Sequence, residues 1–338
     1  MGLGVAKQLS ARGANVVIVA RDVTKLQKAI KEVEVGLNLA TRTCNRLLTL
    51  HQTVARRPQV QRFHYISADV TSNEENIRII REVTEWNNGQ PPDIVWAIAG
   101  TSTPHLFLDT PAELFKQQMD INYFAALYLA HATLKLWLTG DLNPASSSSA
   151  SEKPKNTDKA PPTRHFIMTG SLLSFCGISG YSPYSPAKSA IRSLHDTLRM
   201  ELNLYNHAKP DPARSKSEQR PEVKIHTVFP GSILSPGYEQ EELTKHPSRK
   251  ILEKDDPRQT PDQVARIAVI ELERGRHMIV THWLGMVMRA AGLMVSMRDN
   301  WLMDTLLSWI ISPIILFIQP DLEGKVRKWA RENGTPQH

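Results

Sequence analysis

The strongest constraint on the fold is a rhythm of short apolar runs separated by helix-length stretches. Val16 to Ala20, Phe63 to Ala68, Ile94 to Ile98, His165 to Thr169 and Lys224 to Phe229 are each five or six residues long. Runs this short, rich in Val, Ile and Phe, read as strands buried on both sides. Met278 to Thr281 is a candidate last strand. Helices are expected over 22–50, from Ser72 onward, from Pro111 to Leu138, from Pro183 to Tyr205 and from Thr260 to Arg274. Ser72 with Glu75 carries a capping-box signature, and Thr260 stands as N-cap before Pro261. Strands alternating with helices imply an α/β fold, a doubly wound parallel sheet covered on both faces.

The 338 residues are 41% hydrophobic, enough for a sizeable core and against global disorder. The net charge of +7 suits either nucleic acid or an anionic membrane surface. Basic residues cluster beside the apolar C-terminal stretch, so a membrane lipid surface is expected and nucleic acid is not. Cys44 and Cys176 are the only cysteines, which fits a reducing compartment, and no metal-type spacing occurs. Residues 144–163 are Ser-, Lys- and Pro-rich and read as a disordered insertion. Two regions are therefore expected: 1–282, and 283–338 as a membrane-anchoring region with a basic tail. Residues 283–297 are apolar apart from Arg289, and 301–318 apolar apart from Asp304, with Pro313 in the middle. Neither is a clean span, and a monotopic or re-entrant anchor is expected over a core helix pair or an oligomer interface. Trp301, Trp309, Phe317 and Trp329 suit an interface, and Lys325, Arg327, Lys328 and Arg331 suit lipid headgroups.

The chemistry concentrates in Tyr184-Ser-Pro-Ala-Lys188. Four residues apart on a helix puts both side chains on one face. An ammonium beside a phenol favours the phenolate, lowering a value otherwise too high for acid–base work at neutral pH. Ser171 ends the strand upstream, where ligands of open α/β sheets sit, and its hydroxyl can hold the oxygen that Tyr184 protonates. Asn122 falls mid-helix, where Asn is a poor helix former, and could hold a water that links Lys188 to solvent. Ala99-Gly100 ends one strand and Phe229-Pro230-Gly231 another.

In this order and spacing, Ala99-Gly100, Asn122, Ser171, Tyr184-x-x-x-Lys188 and Pro230-Gly231 resemble the short-chain dehydrogenase/reductase family, over roughly residues 1–282. The resemblance implies a Rossmann-type fold and a nicotinamide cofactor. It assigns Tyr184 as general acid, Lys188 as ribose ligand and tuner of Tyr184, Ser171 as substrate-orienting and Asn122 as part of a proton relay. Pro230 and Gly231 would flank the nicotinamide. The strand end reads Ala97-Ile98-Ala99-Gly100, without the two asparagines usual in the family. Of the family's phosphate loop only Met1-Gly2 is matched, so Gly2 would touch pyrophosphate, and the first strand is missing. Residues 1–15 read as mid-helix running into a strand, so Met1 is expected to be an internal methionine of a longer product. Arg21 at the second strand's end would pair with a 2′-phosphate, which favours NADPH, and Asp69 would lie beside adenine.

A narrower resemblance rests on Gly180-Tyr-Ser-Pro-Tyr184, on Phe229-Pro-Gly-Ser-Ile-Leu-Ser-Pro-Gly237-Tyr238, on Thr260-Pro-Asp-Gln263, and on an apolar tail ending in a basic helix. These look like the fungal 3-ketodihydrosphingosine reductases. That implies NADPH-dependent reduction of a long-chain keto-sphingoid base at the cytosolic face of the endoplasmic reticulum membrane. Glu239, Glu241 and Glu242 are candidates to attract the substrate amine. The alternatives are a membrane-bound steroid or retinol dehydrogenase and a non-catalytic relative. A homodimer through the helices that carry Asn122 and Tyr184 is also expected from the family.

Overall fold

The computed structural model describes residues 1–44, 61–140, 161–209, 219–254, 256–293 and 296–333. Strands β1 (Val16–Ala20), β2 (Phe63–Ser67), β3 (Ile94–Ala97), β4 (Arg164–Thr169) and β5 (Val223–Phe229) coincide with the apolar runs to within one residue at each end. β6 (Ser232–Ile233) and β7 (Arg258–Gln259) form a short parallel pair that the apolar pattern does not announce, and β8 (Met278–Val280) is the expected last strand. The helices are α1 (Gly2–Ser10), α2 (Val23–Cys44), α3 (Asn73–Trp86), α4 (Ala112–Met119), α5 (Ala125–Thr139), α6 (Ser185–Asn206), α7 (Pro236–Thr244), α8 (Pro247–Leu252), α9 (Pro261–Glu273), α10 (Trp283–Gly292) and α11 (Trp301–Asn333). The remainder of the helix expected to Leu50, and residues 144–160 of the expected insertion, lie outside the described residues.

Capping starts the helices where the side chains allow. Asp22 Oδ1 accepts the Lys25 N–H at 3.0 Å to open α2. Thr260 and Gln263 satisfy each other's backbone N–H groups at 3.2 and 2.8 Å, a full capping box at α9. Only half of the box forms at α3. Ser72 Oγ accepts from Glu75 N, while the Glu75 carboxylate turns to Arg78 at 2.7 Å.

Among the described residues the strand pairs are all parallel, in three ladders: β1–β2, β3–β4–β5–β8 and the short β6–β7. Side chains alternate between faces along each strand. Phe166 and Met168 pack against Ala126, Ala130 and Leu134 of α5 and Ile191 of α6. Ile167, between them, packs with Val228, Ile279 and Ala268 of α9 on the other face. Both faces are covered, as a doubly wound parallel sheet requires. The strand missing from the family pattern has no counterpart among the described residues, and no ladder joins β1 to β3 there.

Three expectations change. The helix from Pro111 is interrupted by a π-helical turn, Asp120–Phe124, between α4 and α5. The division at 282/283 is not a packing boundary: Leu284 and Met288 of α10, with Leu293, close a core around Phe229 and Met278. The second apolar stretch, 301–318, is part of one longer helix. α11 continues through Pro313 and Pro320 to Asn333 and is long and apolar enough to cross a membrane by length and composition. Its basic end is also less bare than the sequence implies, because Lys325, Arg327 and Lys328 pair with Asp321, Glu323 and Glu332 one turn away.

Candidate active site

The C-terminal ends of β1, β3, β4 and β5 open onto one continuous cleft of about 1070 Å³. Of the residues expected for catalysis and cofactor binding, all but Asn122 line it: Gly2, Arg21, Asp69, Ala99, Gly100, Ser171, Tyr184, Lys188, Pro230 and Gly231. Asn122 stands behind this wall and is 2% exposed.

Tyr184 is the N-cap residue of α6, so the motif straddles a helix start instead of lying within the helix. Lys188 N still closes the first turn on Tyr184 O at 3.2 Å, which keeps both side chains together. Lys188 Nζ lies 5.6 Å from the Tyr184 ring centroid and donates to Thr169 O at 3.0 Å. Burial pushes the Lys188 ammonium down to about 8. The Tyr184 phenol is pushed up from its ordinary value, mainly by burial; its hydrogen bond with Ser171 works against that, and the Glu241 carboxylate works with it. The expected lowering of the phenol by Lys188 is therefore not the state of the free site: desolvation outweighs an ammonium held over the ring face.

Ser171 is placed by its own local structure. Its Oγ accepts the Leu173 N–H at 3.2 Å, and its N–H donates to Ser174 Oγ at 3.2 Å, a capping box on the short 3₁₀ turn Leu172–Ser174. Asn122 sits in the π turn, which rotates its amide towards the β3 end. Its Oδ1 accepts the Thr101 N–H at 3.2 Å, and its Nδ2 donates to Thr101 O at 2.8 Å and to Gln118 Oε1 at 3.0 Å. The amide thus clamps the Gly100-Thr101 backbone. A Cβ at Gly100 would lie 2.8 Å from Asn122 Oδ1 and 3.2 Å from Lys188 Nζ, so this residue must be glycine for the three to converge.

Towards the other end, Thr71 N and Oγ1 donate to Asp69 Oδ1 at 3.0 and 2.8 Å and hold its carboxyl below the usual range. Arg21 is exposed at the cleft edge, near enough to favour that charge slightly. The donor set fits a nicotinamide cofactor at the Gly100–Gly231 end. Ser102 Oγ and His282 Nε2 both line the cleft and are buried without a partner, as groups kept for a ligand would be. A Cβ at Gly231 would collide with the His282 ring.

Sequence reasoning missed His282 and a buried ion cluster at the cleft wall. Lys245, with a fully buried side chain, meets Glu241 at 3.3 Å, Glu242 at 2.5 Å and Glu253 at 2.5 Å. Arg249 pairs with Glu253, and the Tyr181 hydroxyl donates to Glu241 and to Glu253. Of the three carboxylates singled out for the substrate amine, only Glu241 lines the cleft, and Lys245 already partners it. Glu239 is exposed on α7. The distant sequence positions of Tyr181, Glu241 and Glu253 gave no local signal of this cluster.

No protein-family model matches the chain. It is 42% identical over 336 residues to 3-ketodihydrosphingosine reductase ksrA of Aspergillus fumigatus, covering 99% of this chain and 83% of that protein. It is 38% identical over 337 residues to 3-ketodihydrosphingosine reductase gsl-3 of Neurospora crassa, covering 99% and 81%. Among solved structures, an alcohol dehydrogenase from the archaeon Thermococcus sibiricus, complexed with 5-hydroxy-NADP, superposes with a TM-score of 0.54 at 18% identity, over 82% of this chain and 90% of that one. A short-chain type dehydrogenase/reductase from Mycobacterium ulcerans gives 0.55 at 19% identity, over 82% and 83%. The fold is that of the short-chain dehydrogenases/reductases, and the chain belongs to the 3-ketodihydrosphingosine reductase family.

Proposed function

We propose that this protein reduces 3-ketodihydrosphingosine to dihydrosphingosine with NADPH, in sphingolipid biosynthesis. One observation carries the reading: Ser171, Tyr184 and Lys188 meet on the floor of a cleft whose far end is apolar, in a chain of this family. Bound NADPH would supply the hydride to the keto carbon. Arg21 would pair with its 2′-phosphate, Asp69 would lie beside adenine, and Gly2, Ala99, Gly100, Pro230 and Gly231 would leave room for its backbone and ring.

The residues of the chain do the rest. Ser171 donates a hydrogen bond to the keto oxygen and holds it against Tyr184. Tyr184, a phenol that burial keeps protonated, gives its proton to that oxygen as negative charge develops there. Lys188 stabilises the phenolate left behind and hydrogen-bonds the cofactor ribose. Asn122 acts through the backbone, clamping Gly100-Thr101 so that Lys188 keeps its place.

We place the enzyme at the endoplasmic reticulum membrane with its catalytic face in the cytosol. The outward side chains of α11 support membrane association: Trp301, Trp309, Leu316 and Phe317 are each more than 70% exposed. Exposed Met200 and Leu204 on α6 support pairing of two copies across that helix. The test is NADPH oxidation by membranes holding the protein, with 3-ketodihydrosphingosine as substrate and Tyr184→Phe as control. Turnover abolished by Tyr184→Phe supports the reading. Turnover of steroid or retinoid ketones alone would move the assignment to that class, and loss of NADPH binding would leave a non-catalytic relative.

A further inference from the structure

The apolar half of the cleft has a specific construction. Leu284, Val287, Met288 and Ala291 follow one another at i, i+3, i+4 and i+7 on α10 and line the cleft as one stripe. All four are half-buried, whereas Trp283 and Met286 on the other side of α10 are 60% and 49% exposed. Ile318 and Leu322 of α11, one turn apart, line the same cleft. The stripe is roughly 10 Å long at the rise of an α-helix.

α11 is fixed over this slot at both ends. At its start, Asp304 pairs with Arg289 of α10 at 2.6 Å. Near its end, the Trp329 ring packs edge-on against His246, beside α8, with centroids 4.7 Å apart. The same helix carries the exposed apolar side chains of the outward face, and Ile318 itself is 38% exposed. One helix therefore separates the slot from the surface that would meet lipid. Apolar side chains at helical spacing normally find other side chains as cover. Leu284 and Met288 reach the core around Phe229 on one side, yet all four side chains keep an edge on the open cleft that leads to Tyr184.

Resting on the reductase reading above, we propose that the slot between α10 and α11 is the seat of the substrate's single alkyl chain, so that the long-chain base enters sideways from the lipid phase past α11. A ligand with its keto carbon at Tyr184 and its tail between these helices has a polar head among Ser171 and Tyr184 and a methyl end next to lipid. Water leaves the stripe as the chain seats, which favours the bound tail.

The experiment uses the full chain in phosphatidylcholine vesicles and a 3-ketodihydrosphingosine carrying a diazirine near its tail end. Irradiation followed by peptide mapping is expected to label Leu284, Val287, Met288 or Ala291, with the label competed by unlabelled sphingoid base. Label confined to Trp309, Leu316 and Phe317 on the outer face of α11 would show a tail that stays in the bilayer, and would overturn the proposal. Val287→Trp, which fills the slot, is expected to lower the kcat/KM ratio of an eighteen-carbon to a six-carbon amino-ketone about tenfold; Met288→Trp is the second variant should the first misfold. An unchanged ratio in a folded variant that binds NADPH also overturns it. Absence of turnover with every amino-ketone would refute the reductase reading instead, and the labelling result stands apart from it.

Discussion

Arg289 Nη2 donates to Asp304 Oδ1 at 2.6 Å, so the two charges that interrupt the apolar C-terminal stretches are each other's partners. Arg289 also reaches Asp299 at 2.8 Å, and Asp304 caps the start of α11 by accepting the N–H groups of Asp299 and Asn300. Asp304 is 5% exposed. Arg289→Met leaves that carboxylate buried and uncompensated, which is expected to cost about 3 kcal/mol. Thermal unfolding of the two proteins in the same detergent checks it. A shift indistinguishable from zero would mean that water reaches Asp304.

Lys188 should trade stability for chemistry. Its ammonium is 3% exposed with its value pushed down to about 8, so keeping it charged in the ligand-free fold is unfavourable. Lys188→Met is expected to raise the unfolding free energy at pH 7 by roughly 1–3 kcal/mol, while lowering kcat by on the order of a hundredfold or more. Tyr184→Phe should lose activity as completely without that stabilisation. Denaturant unfolding alongside turnover separates the two. A Lys188→Met protein less stable than its parent would contradict the burial argument.

Gly100→Ala tests the convergence of Asn122 and Lys188. The backbone there accepts an L-residue, so the obstacle is space alone. The new methyl must push aside Asn122 Oδ1 or Lys188 Nζ. Overpacking of this kind costs about 1–3 kcal/mol. The activity loss should exceed what that destabilisation explains, about tenfold or more, because the displaced groups serve the site. Restoring room with Gly100→Ala/Asn122→Ser should recover part of the stability but not the activity.

The histidines under the sheet predict acid sensitivity. His226 is 2% exposed; its Nδ1 donates to Arg276 O at 2.8 Å, and its Nε2 meets His165 Nδ1 at 2.9 Å. His195 meets His277 at 3.3 Å and Thr227 Oγ1 at 2.9 Å. Each pair is satisfied only while neutral, since a second proton sets two donors face to face. Burial pushes His226 down to about 4 from the usual 6.5, and lowers His195 and His277 too. A lowered histidine favours the neutral fold. Its stability is fully present above about 6.5 and is lost as pH falls towards 4. Between pH 7.5 and 5.5 the loss should be roughly 1 kcal/mol per histidine, read from urea midpoints. His226→Phe should flatten that slope.

The sequence by itself determined the strand–helix alternation, the strand positions and the residue types of the site. These are local properties: an apolar run of strand length, an N-cap, a Tyr-x-x-x-Lys spacing, each carried within a few neighbours. The resemblance in turn supplied roles for Ser171, Tyr184, Lys188 and Asn122, because order along the chain survives without coordinates. Tertiary structure decided what depends on distance between remote residues and on exclusion of water. Whether Tyr184 is raised or lowered follows from burial and Glu241, fifty-seven positions away in the numbering, more than from Lys188 on the same turn. Lys245 is drawn to Glu253 and away from solvent by the packing of two short helices. The apolar C-terminal stretches, read as an anchor apart from the enzyme, divide into a helix that packs against Phe229 and one that walls the cleft. A sequence states that such stretches must leave water; only the fold shows which of them lie against the core, which face outward, and which line the cleft.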